Sequence, residues 1–303
     1  MYEQFFGLQE KPFSLTPDTD YYYRFRGHQE ALNVLLVALR NGEGFMCVSG
    51  EVGTGKTLLC RQLLKMLQDD CATVYLPNPL LTPHELYQAI ISELQLPLEP
   101  AASFQQLTQQ IFTELVRLRQ VERPLVVLID EAQAMPLQSL EALRLLSNLE
   151  TAKEKLLHIV FFAQPEFEKR LAREELRQLR QRIVFSYRLP MLQRHELSGY
   201  LEHRLRIAGC QGVGIFQDGA IRLLFAASRG TPRLVNLLAH KALLAAYGKG
   251  RRHIDRRIAR SAVRDGLGRY PLPTFPGSRP MFAALGAVLT GAVLTLMLLR
   301  LLR

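Results

Sequence analysis

Two short stretches of this chain carry residue types spaced for phosphate chemistry. The first is Gly50-Glu51-Val52-Gly53-Thr54-Gly55-Lys56-Thr57, a complete G-x-x-x-x-G-K-[ST] pattern. Gly50, Gly53 and Gly55 let the backbone curl so that its N–H groups converge on phosphate oxygens, and a helix opening near Lys56 adds the positive end of its dipole. Residues 50–57 and the following Leu58 are therefore the expected nucleotide contacts, with Lys56 reaching the β- and γ-phosphates and the Thr57 hydroxyl ligating Mg2+. The second stretch, LVVLIDE over 125–131, is an apolar run that ends in two carboxylates. Asp130 is expected beside Thr57 as a second metal ligand, and Glu131 next to it as the group that polarises an attacking water. No N-K-x-D sequence is present to read guanine, so the expected ligands are ATP and Mg2+.

Groups 80 residues apart in sequence need a scaffold to bring them together. The 303 residues suffice for one large α/β domain and a smaller companion. Strands are expected at Phe45–Val48, Thr73–Leu76, Pro124–Ile129, Leu157–Phe162 and Ile183–Tyr187. Helices are expected over 27–40, from about Lys56, and over Pro83–Leu94, Phe104–Leu118 and Leu137–Leu149. The run from Pro124 to Ile129 shows no polar alternation, as suits a parallel strand covered on both faces. Strands alternating with helices predict a doubly wound parallel sheet over residues 1–190. Residues 1–26, rich in Phe, Tyr and Pro, sustain no period and read as a packed, mostly extended lead-in. From 191 to 267 the strand signal stops, and three or four helices form a separate all-helical domain.

Residues 268–280 contain four prolines and two glycines and read as a linker. Phe282–Leu299 then runs for eighteen residues without a charge, about 27 Å at about 1.5 Å each, so residues 281–303 are expected to cross a membrane once. Arg264, Arg269 and Arg279 on one flank outnumber Arg300 and Arg303 on the other, placing the N-terminal bulk on the cytoplasmic side of a bacterial inner membrane. The formal charge of +10 follows the same division. Ten arginines against Asp255 and Asp265 give residues 251–303 a net +8, leaving +2 for the first 250. That distribution suits anionic headgroups better than a nucleic-acid groove. Four cysteines without paired spacing read as reduced thiols.

Taken together, LIDEAQ, the helices after the sheet and Gly230-Thr-Pro-Arg233 resemble AAA+ ATPases. More closely, FFGLQEKPFSLTPD, GEVGTGKT, AQPEF, LRQLRQRIVFSYRL and SRGTPRLVN resemble the ExeA/GspA group of secretion ATPases over roughly residues 1–265. The resemblance implies a P-loop fold with a C-terminal helical lid, self-association into an oligomer, and partners in type IV pilus (mannose-sensitive haemagglutinin type) or type II secretion assembly. It places a γ-phosphate sensor at Gln164, a second sensor at Arg233, and an arginine finger for a neighbouring subunit at Arg182, with Arg177 and Arg180 as competitors. It sets His28 and Gln29 near the adenine. ExeA-like proteins continue into a peptidoglycan-binding domain past the membrane; here the chain stops after its hydrophobic segment, which argues against direct peptidoglycan binding. Two other readings stay open: a nucleotide switch in polysaccharide or protein export, and a DNA-associated regulator of the transposition type.

Overall fold

A computed structural model describes residues 1–99, 101–149, 155–212 and 214–268. Five strands, β1 (Phe45–Ser49), β2 (Ala72–Leu76), β3 (Leu125–Ile129), β4 (Leu157–Ala163) and β5 (Ile183–Arg188), pair in the order β2-β3-β4-β1-β5. Every pairing is parallel. Each expected strand is present, with ends moved by one residue.

Parallel strands need long crossovers, and these are helical. Helix α3 (Lys56–Leu67) links β1 to β2, while α4 (Pro83–Glu93) and α5 (Phe104–Gln120) link β2 to β3. Helix α6 (Leu137–Leu146) precedes β4, and α7 (Pro165–Leu171) and α8 (Arg177–Arg182) precede β5. Helix α2 (Arg26–Arg40) comes before the sheet. Successive strand side chains point to opposite faces, so each five-residue run serves two cores. Phe45, Cys47, Val127, Ile129, Ile159 and Phe161 pack with α4, α5 and α6. Met46, Val48, Val126, Leu128, Val160 and Phe162 pack with α2 and α3. This double burial is why β3 reads as an unbroken apolar run and why β1 and β4 each hold only one polar residue, Ser49 and His158.

Helix starts carry local signals. Thr82 and Ser103 each close a capping box, with Glu85 and Gln106 respectively. The lead-in is less extended than expected. Tyr2–Phe6 form a one-turn helix, α1, closed by Gly7 at φ 69°, and Thr19–Tyr21 form a 3₁₀ turn capped by Asp18. Five residues are too few to register a helical period; Tyr2 and Phe6, four apart, are both buried, and Tyr2 packs edge-on against His240 at 5.5 Å.

After the sheet come α9 (Glu196–Ile207), α10 (Asp218–Ser228), α11 (Pro232–Tyr247) and α12 (Arg256–Leu267). Residues 1–266 form one compact unit. The turn into α11 depends on Gly230, which has φ +76° and would bring a Cβ within 2.2 Å of the Leu192 carbonyl oxygen. No helix among the described residues is long and apolar enough to cross a membrane, and the expected span within 281–303 lies outside them.

Candidate nucleotide site

Strand register decides what meets at the carboxyl edge of the sheet. Ser49 pairs with Ala163, and Ile129 with Phe161, so Gly50, Asp130 and Gln164 all emerge at that edge. Ligands of open parallel sheets bind there, beyond the strand ends. Thus β1, β3 and β4 deliver the loop, the acid pair and the amide to one corner.

The loop over residues 50–55 wraps back on itself before α3. Gly53 and Gly55 have φ +82° and +97°, and a Cβ on Gly53 would lie 2.8 Å from the Cβ of Arg233. The ammonium of Lys56 donates to the carbonyl oxygens of Gly50 (2.8 Å) and Glu51 (3.0 Å). Burial holds the Lys56 pKa below its ordinary value, against the pull of Glu131, Asp130, Glu51 and Glu166. Asp130 is also buried, and desolvation raises its pKa, opposed by hydrogen bonds from the Thr57 hydroxyl and the Glu131 N–H. A cation and an acid are therefore both short of water in the same corner. Each gains from a counter-charge, which a nucleotide phosphate and a divalent cation supply together.

The Asp130 carboxylate and the Thr57 hydroxyl are hard oxygen donors of the kind Mg2+ takes alongside substrate phosphates and water. Such a site needs no all-protein cage, and none of three or more His, Cys, Asp or Glu side chains exists among the described residues. The residues present fit the cation.

Glu131 has φ +51°, a rare value for a side chain with a Cβ. Its Oε2 accepts from Gln133 Nε2 and from Gln164 Nε2 (3.0 Å), while Gln133 Oε1 accepts the Gln164 N–H at 2.9 Å. Arg170 on α7 donates to the carbonyl oxygens of Gln133 and Met135, pinning this turn. The carboxylate is thus aimed by two amides. Gln133 carries no sequence signal of its own beyond its place two residues after Glu131; its second side-chain partner, Gln164, lies at the end of β4.

A cleft of about 180 Å³ runs away from the loop. One end is lined by Gly53, Gly55, Lys56, Thr57 and Glu131, the other by Ser14–Asp18, Tyr200, Arg204 and Asn236. The lead-in is fastened over it from the helical side. Arg204 Nε donates to the Pro12 carbonyl at 2.6 Å and stacks over Tyr21 at 4.6 Å, and Asn236 Nδ2 donates to the Ser14 carbonyl at 3.4 Å. Arg233 lines the same cleft; its side chain is exposed, and its backbone N–H donates to the Gly53 carbonyl at 3.2 Å.

His28 and Gln29 do not line that cleft. Gln29 points along α2 to Asn33. His28 lies beneath the loop, 3% exposed, stacked on Tyr22 and tilted against Phe25, with Nε2 3.1 Å from the Thr54 carbonyl. A carbonyl only accepts, so Nε2 carries the proton and Nδ1 is left as a buried acceptor with no partner. Burial pushes this histidine down to about 4.

Arg182 sits elsewhere. Ile183 pairs with Phe45 at the amino end of β1, so Arg182 is at the opposite edge from Gly50, roughly 16 Å down the strand at about 3.3 Å per residue. Its guanidinium donates to the Arg144 carbonyl (3.1 Å), the Ser147 hydroxyl (2.5 Å) and Asn148 Oδ1. Arg177 pairs with Glu174 at 3.2 Å, and Arg180 is exposed. None of the three lines the cleft of its own chain.

Comparison with known proteins agrees with this geometry. Residues 39–171 match the family described as AAA domain. Over 250 residues the chain is 43% identical to general secretion pathway protein A of Aeromonas hydrophila, covering 82% of this chain and 46% of that protein. The chain therefore carries an AAA domain over residues 39–171 and is similar along most of its length to that secretion-pathway protein. It spans about half the length of this curated relative. The ORC2 protein of Aeropyrum pernix shares the fold with a TM-score of 0.67 at 18% identity, covering 88% of this chain and 74% of its own. Cdc6p of Pyrobaculum aerophilum follows at 0.64 and 17% (84% and 73% covered). The RuvB Holliday junction branch migration motor of Thermotoga maritima stands at 0.56 and 18% (84% and 73%). Lys56, Thr57 and Glu131 line the loop end of the cleft, and Ser14–Asp18 with residues of α9 and α11 line its far end.

Proposed function

We propose that this AAA+ chain binds and hydrolyses ATP to drive or regulate assembly of a type IV pilus or type II secretion apparatus from the cytoplasmic face of the inner membrane. The observation that carries the reading is the convergence of Lys56, Thr57, Asp130, Glu131 and Gln164 on one sheet edge, in a chain related to general secretion pathway protein A. On this reading Lys56 exchanges its loop carbonyls for β- and γ-phosphate oxygens. Glu131, aimed by Gln133 and Gln164, takes a proton from the attacking water at Oε2. Mg2+ held by Thr57 and Asp130 would neutralise developing phosphate charge. Helices α9–α12 act as a lid: Arg233 and the Gly53–Arg233 backbone bond join α11 to the loop, so a change at the phosphates reaches the helical end. Arg182 faces away from its own cleft and serves a neighbouring copy in an oligomer. Residues 281–303 tether the chain, supported by their charge-free run and flanking arginines.

The test is a host strain whose sole copy is Lys56→Ala, assayed for secreted protein and surface pili, with fractionation of the full chain and of a chain lacking residues 281–303. Loss of secretion or pili, and membrane association that needs the tail, is the expected result. Normal secretion and piliation would remove the assembly role. A full-length chain that stays soluble would remove the tether.

A further inference from the structure

Helix α12 carries a charge pattern that the nucleotide site does not use. At 100° per residue, Arg256, Arg257, Arg260 and Arg264 fall within an arc of about 100° and are all exposed. Ile258, Ala259, Ala262 and Val263 occupy the opposite arc and are buried, so packing fixes which side faces outward. The nearby acids offset the arginines only in part, Asp255 lying in the field of Arg257 and Arg251. Asp255 accepts the Ile258 N–H at 2.8 Å, and Asp265 is bonded to Lys241 at 2.5 Å. Among the described residues, Asp218 at the start of the adjacent α10 forms no ion pair, and none of the four arginines has an ion-pair partner. Arg251 and Arg252, exposed just before the helix, extend the same basic surface, with Arg252 resting over Phe5 at 5.4 Å.

Four guanidiniums held side by side on a rigid helix present bidentate donors to a plane of phosphate groups. We propose that this arginine face of α12 binds an anionic lipid surface. Two features favour lipid over nucleic acid. The first 250 residues hold a net charge of only +2, so no basic groove continues the patch as a nucleic-acid path. The charge-free run beginning at Phe282 follows α12 after only fourteen residues, so the tether reading, on which this point rests, keeps the face at high effective concentration beside headgroups. Phosphate-rich anionic lipid then adds an orientation to what would otherwise be a flexible attachment.

The test uses the full chain with Ser261→Cys, reconstituted into vesicles. The four native cysteines are buried, so a donor dye is directed to position 261, beside the arginine arc, and an acceptor is placed on the headgroups. Energy transfer is expected to rise several-fold in vesicles containing phosphatidylglycerol over phosphatidylcholine alone. It should fall back near 1 M salt, where the Debye length is about 3 Å. It should also be lost in R256Q/R257Q/R260Q/R264Q, whose ATP binding remains as a folding control. A chain that floats with both vesicle types at high salt, yet shows transfer indifferent to lipid charge, overturns the proposal and leaves the tether standing. Salt-sensitive, arginine-dependent capture by anionic vesicles alone, without flotation on neutral ones, keeps the proposal and removes the tether. Binding of duplex DNA through the same four arginines with no response to lipid charge overturns the proposal in favour of nucleic acid.

Discussion

The two edges of the sheet hold opposite kinds of chemistry. At the carboxyl edge, Lys56, Asp130, Glu131, Gln133 and Gln164 come from one chain and touch or nearly touch one another. At the amino edge Arg182 stands apart, bonded to the end of α6 rather than to any phosphate-binding group. The first edge gathers its groups within one chain, whereas Arg182 lies at the opposite edge and does not line the cleft of its own chain. On the function proposed above, binding and commitment to hydrolysis are separated in space, one chain holding the nucleotide and a neighbouring copy setting its turnover.

The sharpest way to break this comparison is Arg182→Ala. Trans-acting arginines are worth roughly 10³–10⁵ in rate, so turnover should collapse while ATP affinity persists. Mixtures with Glu131→Gln subunits should recover some phosphate release, since certain interfaces then join an intact arginine to an intact acid. No recovery in mixtures shown to co-assemble would place the whole site within one chain. Because Arg182 also ties down α6, its thermal unfolding must be recorded alongside.

Next in size, Glu131→Gln should cost roughly 10²–10⁴ in turnover, the usual worth of a positioned general base, with nucleotide affinity kept. Undiminished hydrolysis would take Glu131 out of the catalytic role. Lys56→Ala, by contrast, should weaken ATP binding itself by roughly 100-fold, since two charge-assisted hydrogen bonds of about 1.5 kcal/mol each disappear. Titration with a fluorescent nucleotide reads it directly.

Smaller effects refine the acid corner. Gln133→Ala should lower kcat about tenfold, of order 1.4 kcal/mol for one aiming hydrogen bond, with little change in KM, and Gln133→Asn should restore less than the native residue. An equal change in KM would mean that Gln133 shapes binding rather than the base. Last, His28 makes the loop's underside sensitive to acid. Its folded pKa near 4 lies below the unfolded 6.5, so the unfolded chain binds the extra proton first and stability falls as pH drops from about 6.5 towards 4. Between pH 7 and 4.5 that contributes a loss of about 2 kcal/mol at 1.36 kcal/mol per unit. Denaturant midpoints should show this slope in the native chain and its loss in His28→Gln.

Much of the corner was legible without coordinates because its signals are local. The glycine-lysine loop marks itself through backbone freedom and charge within eight residues, and Asp130 and Glu131 announce themselves by following five apolar residues. The strand runs were equally plain, since double burial leaves β3 wholly apolar and β1 and β4 with a single polar residue each, Ser49 and His158. The roof of the cleft was not. Ser14–Asp18 carry no phosphate-binding residue type, and only the long-range grip of Arg204 and Asn236, about 190 and 220 positions later, places them there.

By itself, then, the sequence determined that a phosphate-binding loop follows a buried strand and that an acid pair ends another. Those outcomes depend on neighbours in the chain and on side-chain periodicity. Tertiary structure alone decided which groups share an edge. The order β2-β3-β4-β1-β5 puts Gln164 between the loop and the acids, lets Gln133 bridge Gln164 and Glu131, and sends Arg182 to the far side. The physical reason is that strand order and register are settled by which faces bury best against one another, a sum over contacts distant in sequence that no single motif records.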